Sequence, residues 1–358
     1  NTSHEAVRIR DIPQDEAKIE KNIFYRNSIA ESITQKVENV EITYPSVPFS
    51  GINFSGNVLF NSINTGSNNE DVILLNADDD LKKYPFDGGD FFDQDLPRVG
   101  HGFTFENYFV GQWQNTSTSS LIVRNSNGQL FRYTYDGDFY DTGNGDQVGS
   151  GFNFEDYFLG DFTADSRTDL LCRNSSGKLY LYQLNTSAFY GLGEVGSGFL
   201  NFTDHFVGNW VGDAKDELLG RLSNGNLLLY KKGTSRFESE GQVGSGFTYE
   251  KYFPGNWIAN AKTSFITLDA SGNMRLHKFN EATKWFDDQG IVGSGFVYED
   301  YCVGDFTGDG IDDLIAIDQN NSMYLYPFKN NTFYSNGGPI AIGNNKYFKE
   351  FLMGQWGN

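Results

Sequence analysis

The sequence predicts an all-β fold, a β-propeller of four-stranded antiparallel blades. Three observations lead there. The motif Val99-Gly100-His101-Gly102-Phe103 returns four times, as Val148-Gly149-Ser150-Gly151-Phe152, Val195-Gly196-Ser197-Gly198-Phe199, Val243-Gly244-Ser245-Gly246-Phe247 and Val292-Gly293-Ser294-Gly295-Phe296, with a weaker copy at Ser50-Gly51-Ile52. The second glycines, Gly51, Gly102, Gly151, Gly198, Gly246 and Gly295, are spaced by 47 to 51 residues, the length of one blade. Between copies, short runs rich in aromatic and aliphatic residues are bounded by Gly, Asn and Ser, the pattern of strands and turns.

Residues 1–22 are charged and lack a period; they read as a leader or extension, with residues 15–21 as a short helix at most. Ile23-Phe24-Tyr25-Arg26-Asn27-Ser28 echoes Leu121-Ile122-Val123-Arg124-Asn125-Ser126, a second strand. Repeats then start near residues 50, 100, 149, 196, 244 and 293. A seventh start near 343 leads into Leu352-Met353-Gly354-Gln355-Trp356, which matches Val110-Gly111-Gln112-Trp113. The economical expectation is seven blades in one propeller over residues 23–358. The last blade would take its inner strand from the C-terminus and its outer strands from 23–48. Six blades is the alternative. Pairing of N- and C-terminal strands would tie the ring shut and remove exposed edges.

The repeat beginning at Gly151 shows the expected blade. Residues 157–162 are a first strand, 170–173 a second, 178–182 a third, and Phe189-Tyr190 with Gly193-Glu194-Val195 a fourth. Ser176-Gly177 is expected to close a two-residue hairpin, as are Asn127-Gly128, Asn224-Gly225 and Ser271-Gly272, because glycine accepts φ > 0. The Gly-Ser-Gly linker passes the chain to the next blade. The phenylalanine after it, and the aromatic at 113, 162, 210, 257 and 306, fill the gaps between blades.

The 358 residues carry a net charge of −20 with few basic clusters, which argues against binding nucleic acid or anionic lipid. No apolar run approaches the ~20 residues of a membrane-spanning helix. Cys172 and Cys302 fall three blades apart, too far to bridge, and read as buried thiols.

The sharpest chemical motif is Asp305-Phe306-Thr307-Gly308-Asp309-Gly310-Ile311-Asp312-Asp313. Oxygens at alternate positions (Asp305, Thr307, Asp309), the carbonyl of Ile311 and the carboxylate of Asp313 suit a hard cation such as Ca²⁺. A second copy has Asp161, Thr163, Asp165, the carbonyl of Arg167, and Asp169, with Ser166 where Gly310 stands. The other copies have decayed: Asn209, Val211, Asp213 and Glu217 lose the middle ligand. The plain alternative is a set of Asp-rich turns held by side-chain-to-backbone hydrogen bonds. An arginine closes the second strand at Arg124, Arg173 and Arg221. It faces either a glycan or a carboxylate of the blade. The four histidines show no ligand spacing, and no catalytic constellation emerges, so no enzyme is expected.

The unit Gly160-Asp161-Phe162-Thr163-Ala164-Asp165-Ser166-Arg167-Thr168-Asp169-Leu170-Leu171, with Gly177-Lys178-Leu179-Tyr180-Leu181-Tyr182 and Val195-Gly196-Ser197-Gly198-Phe199, resembles the FG-GAP/VCBS repeat of integrin-α-like β-propellers. The resemblance covers roughly residues 50–358. It implies a propeller, usually of seven blades, with calcium between the first two strands of a blade. Members of that family are mostly non-enzymatic, lectins with glycan sites between blades among them. The expectation is therefore a calcium-stabilised lectin, secreted or at the cell surface, that binds glycans or glycoproteins. A protein-interaction module of a larger secreted assembly, such as a toxin, is the second class.

Overall fold

The repeats fold into four-stranded antiparallel sheets, and six such sheets form a six-bladed β-propeller in a computed structural model with no helix among the described residues. The structure describes residues 71–84, 97–114, 118–139, 145–258, 262–333, 338–343 and 348–356, together with six strand segments of two or three residues between 17 and 59.

Blade 2 contains Asn107–Gly111, Ser120–Arg124, Leu130–Thr134 and Asp146–Gly149. Blade 3 contains Asp156–Gly160, Asp169–Arg173, Leu179–Leu184 and Phe189–Gly196. Blade 4 contains Phe202–Gly208, Glu217–Leu222, Leu227–Lys232 and Phe237–Gly244. Blade 5 contains Lys251–Gly255, Ser264–Leu268, Met274–Asn280 and Trp285–Gly293. Blade 6 contains Asp300–Gly304, Asp313–Ile317, Met323–Tyr326 and Ile340–Gly343.

Blade 1 corrects the expected count. Its second, third and fourth strands are Asp71–Asn76, Asp80–Tyr84 and Arg98–His101, and its first is the C-terminal Phe348–Gly354, with Leu352 opposite Ile73. The first repeat thus supplies three strands and the seventh start supplies the fourth. The two partial repeats make one blade, and seven becomes six. Residues 23–48, expected to complete that blade, lie largely outside the described residues. The segments described there pair elsewhere: Ile23–Phe24 with Val58–Leu59, and Gln35–Val37 with Val40–Ile42. The expected short helix at 15–21 also falls outside the described residues, apart from the strand Ala17–Lys18.

The core lies between blades. Six clusters of buried side chains each draw on two neighbouring blades, and each holds one aromatic from the end of a first strand. Trp113 fills the gap between blades 2 and 3, Phe162 that between 3 and 4, and Trp210 that between 4 and 5. Trp257 lies between 5 and 6, Phe306 between 6 and 1, and Trp356 between 1 and 2. All six are at most 1% exposed. Such burial is the dominant favourable contribution to folding. These aromatics are therefore architectural, as their recurrence implies.

The linkers use their two glycines differently. A Cβ on Gly149 would stand 2.6 Å from the ring of Phe152 in its own motif, whereas Gly151 has open space but a φ of +79°. The first glycine admits the ring and the second admits the turn. The hairpin between second and third strands is longer than the two-residue turn expected. Gly128 N–H donates to Asn125 O (3.0 Å) and Asn125 N–H to Gln129 O (3.1 Å), leaving three turn residues with Gly128 at φ +71°. This is the three-residue hairpin with a left-handed final residue. Asn125 Oδ1 accepts the N–H groups of residues 127 and 129, and Asn174, Asp269 and Asp318 repeat the arrangement.

Adjacent blades are also stapled by a bond that the sequence did not suggest. At four junctions the residue before the second strand exchanges hydrogen bonds with the first residue of the preceding blade's loop. Thr168 N–H donates to Gln112 O (3.1 Å), and Gln112 N–H donates to Thr168 Oγ1 (2.9 Å). Asp216 and Asp161 repeat the exchange, as do Asp312 and Asn256, and Ser119 and Gln355. The last of these pins the C-terminal strand to blade 2.

Candidate functional site

Two groups of polar residues recur around the ring, and they occupy opposite ends of each blade. In blade 3, Gly160 pairs with Asp169 at one end of the ladder and Asp156 pairs with Arg173 at the other. Four residue steps along the strand separate them, about 13 Å at ~3.3 Å per residue. The loops and the arginines therefore cannot contact the same small ligand.

The arginine end is built by the start of the first strand, the end of the second and the Gly-Ser-Gly linker. Arg173 and Arg221 form ion pairs with Asp156 and Asp204, their register partners. Arg124 Nε donates to Asn107 Oδ1 (2.7 Å), a neutral group in the same place. The carboxylate reading of these arginines describes Arg173 and Arg221, while both side chains remain 17% exposed. Two of these arginines, and one lysine, also reach the next blade. Arg124 lies 5.6 Å from the ring centroid of Tyr157, Arg221 5.2 Å from that of Tyr252, and Lys251 5.3 Å from that of Tyr301. Cation–aromatic contacts at this range are attractive. Blade 5 has Leu268 at the arginine position, and Lys251, standing in the carboxylate position, supplies the cation instead.

Three tyrosines are held by their own motif. Tyr157 OH donates to Phe152 O (2.8 Å) and accepts from Phe154 N–H (3.1 Å); Tyr108 and Tyr252 do the same. In blade 4 His205 takes this position between Phe158 and Phe202, and burial lowers its pKa to about 4. The fixed spacing from linker phenylalanine to tyrosine was visible in the sequence, but its hydrogen bonds were not.

At the other end, the loops of blades 3 and 6 share one backbone. Positions four and six are left-handed in both: Ala164 (φ 64°) and Ser166 (φ 61°) in blade 3, Gly308 (φ 69°) and Gly310 (φ 84°) in blade 6. The first aspartate organises each turn. Asp161 accepts from Ala164 N–H (2.7 Å) and Ser166 N–H (2.7 Å), and Asp305 from Asp309 N–H (3.1 Å) and Gly310 N–H (2.9 Å). The last aspartate is buried under the loop. Asp169 is 1% exposed and accepts from Phe162 N–H (2.9 Å); Asp313 is fully buried and accepts from Thr307 N–H and Phe328 N–H (both 2.9 Å). Burial pushes Asp169 and Asp305 up to about 6, and Asp313 well above the usual carboxylate range.

The two loops differ in what meets these oxygens. In blade 3, Gln183 Nε2 lies 2.8 Å from Thr163 Oγ1, 3.1 Å from Asp165 Oδ2 and 3.0 Å from Asp169 Oδ1. Gln183 Oε1 accepts from Tyr190 OH (2.7 Å), and Asp165 is also paired with Arg167. In blade 6 the three aspartates have no Lys or Arg partner among the described residues. No three His, Cys, Asp or Glu side chains converge in a metal-holding group among the described residues. A cleft of about 370 Å³ opens beside the blade 3 loop, lined by Gln112, Leu159, Asp161, Arg167 and Asp216 among others. Cys172 and Cys302 are buried thiols outside any disulfide, as expected.

No protein-family model matches this sequence. No curated protein sequence matches it either. Among solved structures, the chain is similar to a mutant of AofleA from Arthrobotrys oligospora in which three arginines are replaced by alanine. The TM-score is 0.50 at 10% identity, over 81% of this chain and 86% of that one. AofleA itself gives 0.47 at 10% identity, over 80% and 86%. A DUF4784 family protein from Bacteroides caccae ATCC 43185 gives 0.41 at 13% identity, over 73% and 68%. At 10% identity the likeness to the first of these bears on architecture alone.

Proposed function

We propose that the protein is a non-enzymatic carbohydrate-binding propeller, secreted or displayed at a cell surface, with its sites in the clefts between blades at the arginine end. The observation that carries this reading is the repetition of one unit: a partly exposed cation lying over the tyrosine of the next blade, at Arg124/Tyr157, Arg221/Tyr252 and Lys251/Tyr301. Fixed donors beside an aromatic ring suit a polyhydroxylated ring, which offers both hydroxyl acceptors and an apolar face. Several weak sites on one rigid ring gain avidity on a glycan surface. A glycan array followed by titration calorimetry tests it. One sugar class should bind with more than one site per chain, and Arg124→Ala and Arg221→Ala should each weaken binding without lowering thermal stability much. Absence of glycan binding, with a protein partner recovered instead, would favour the interaction-module reading. Hydrolysis of a bound glycan would overturn the non-enzymatic one.

The same reading includes structural calcium. Asp305, Thr307, Asp309, the carbonyl of Ile311 and Asp313 supply oxygen donors of the type that a hard cation takes. Buried Asp313 has no side-chain cation against it, so an ion would offset the charge of three nearby carboxylates. The corresponding donors of blade 3 are Asp161, Thr163, Asp165, the carbonyl of Arg167, and Asp169. An ion here would stiffen a hairpin and stabilise the fold by mass action.

A further inference from the structure

The third strands of the blades share a register. Leu179 pairs with Gly196, Leu227 with Gly244 and Met323 with Gly343. Four residues on, the equivalent positions are Gln183 in blade 3, Lys231 in blade 4 and Pro327 in blade 6. In an antiparallel strand this places Gln183 and Lys231 on the same face, toward their blade's loop, while Pro327 directly follows the third strand of blade 6.

What stands there differs in chemistry. The Gln183 amide nitrogen is ringed by three oxygens from three residues, each within 3.1 Å. An amide nitrogen carries only two hydrogens. It therefore has one more oxygen neighbour than hydrogens, so one bond is shared between two acceptors, and the three oxygens converge on one point as they would on a small cation. In blade 4 the Lys231 ammonium lies 2.8 Å from Asp213 Oδ2, the counterpart of Asp165, and Asp213 in turn raises the lysine's pKa. In blade 6 proline offers no donor, and the adjacent Phe328 contributes only its backbone N–H to Asp313.

We propose that Gln183 and Lys231 are internal substitutes for a divalent cation, and that Gln183 is the residue that keeps the blade 3 loop closed to metal. Blade 3 retains the oxygen set but fills its centre from its own third strand. Blade 4 has exchanged a ligand (Val211) and supplies a positive charge covalently. Blade 6, with Pro327, depends on an ion from solution. This inference rests on the calcium reading of the loops and narrows it from two ions to one.

The test is Gln183→Ala, paired with Gln183→Glu in case the first folds poorly, each melted in calcium and in chelator and titrated with calcium by calorimetry. Both variants should gain one binding event absent from the parent. Calcium should raise their melting temperature by about 2 °C or more beyond any rise in the parent. In Gln183→Glu the gain should be larger, because the new carboxylate joins the cage. Asp305→Asn separates the two ideas. If it abolishes the parent's calcium response and the Gln183 variants add none, the blade 6 reading stands and this inference falls. If the parent shows no calcium response but the Gln183 variants acquire one, this inference stands and the blade 6 reading falls. A parent that binds two ions, one of them lost in Asp161→Asn, would mean that metal displaces Gln183, which overturns the proposal.

Discussion

Glu217 occupies in blade 4 the position of the buried loop aspartates and is 1% exposed. Its Oε2 accepts from Trp210 N–H (2.9 Å) and Val211 N–H (3.2 Å), while Oε1 has no partner. Burial pushes its pKa up from 4.5 to about 7, with Asp213 raising it further and Lys231 and the two backbone donors opposing. The folded state therefore holds a proton that the unfolded chain releases above about 4.5. This group's contribution to stability is full below that value and is lost as pH rises toward 7. The variant Glu217→Gln removes the ionisable group and keeps an acceptor for both N–H groups. Its melting temperature should exceed the parent's above pH 7 and match it near pH 4.5. The gain at high pH should be at most about 3 kcal/mol. A parallel offset at all pH values would show that Glu217 does not titrate in this way.

At the scale of the element, the unit of construction is the junction between blades rather than the blade itself. Each sheet buries its faces only against its neighbours, and the reciprocal bond between loop and second strand fixes how closely the first strands approach. Close approach in turn requires glycine at the end of the first strand: a Cβ on Gly111 would stand 2.7 Å from Thr168 Oγ1. Replacing Thr168 by the near-isosteric valine keeps the packing and leaves Gln112 N–H without its side-chain acceptor. Removing one partner of a fully buried bond costs about 1–3 kcal/mol, and this bond, partly exposed, should cost about 1 kcal/mol or less. Thermal or denaturant unfolding of Thr168→Val should register that loss. An unchanged midpoint would mean that the backbone half of the staple suffices. The outermost strands of blades 3, 4 and 5 are long, and each is interrupted midway by a register shift beside a glycine of positive φ: Gly193, Gly241 and Gly290. Such bulges blunt an edge that could otherwise recruit another chain.

At the scale of the whole molecule, blade 1 is assembled from the two ends of the described propeller. Phe348–Gly354 pairs with Asp71–Asn76, Trp356 packs between blades 1 and 2, and Gln355 is bonded to Ser119. Ending the chain at residue 347 would remove the innermost strand of that blade and expose Ile73, Leu121 and Val123, all fully buried. The truncated protein should aggregate or lose its cooperative transition. A soluble truncation with the parent's melting profile would show that this strand is dispensable.

The sequence by itself determined the class of fold, the blade period, the gap-filling aromatics and the linker glycines. These rest on patterns of two to fifty residues that repeat along the chain, and repetition makes local constraints visible. It also located both polar groups, because the Asp-rich loops and the strand-ending arginines recur with the same period. The blade count was decided only in three dimensions. A C-terminal strand resembles the start of a seventh blade until its partner is known, and that partner lies about 280 residues earlier in the chain. The same holds for the loop centres. Thr163, Asp165 and Asp169 are adjacent in sequence and suggest a cation, but Gln183 reaches their midpoint from another strand. Strand register, not spacing along the chain, brings that amide to the three oxygens.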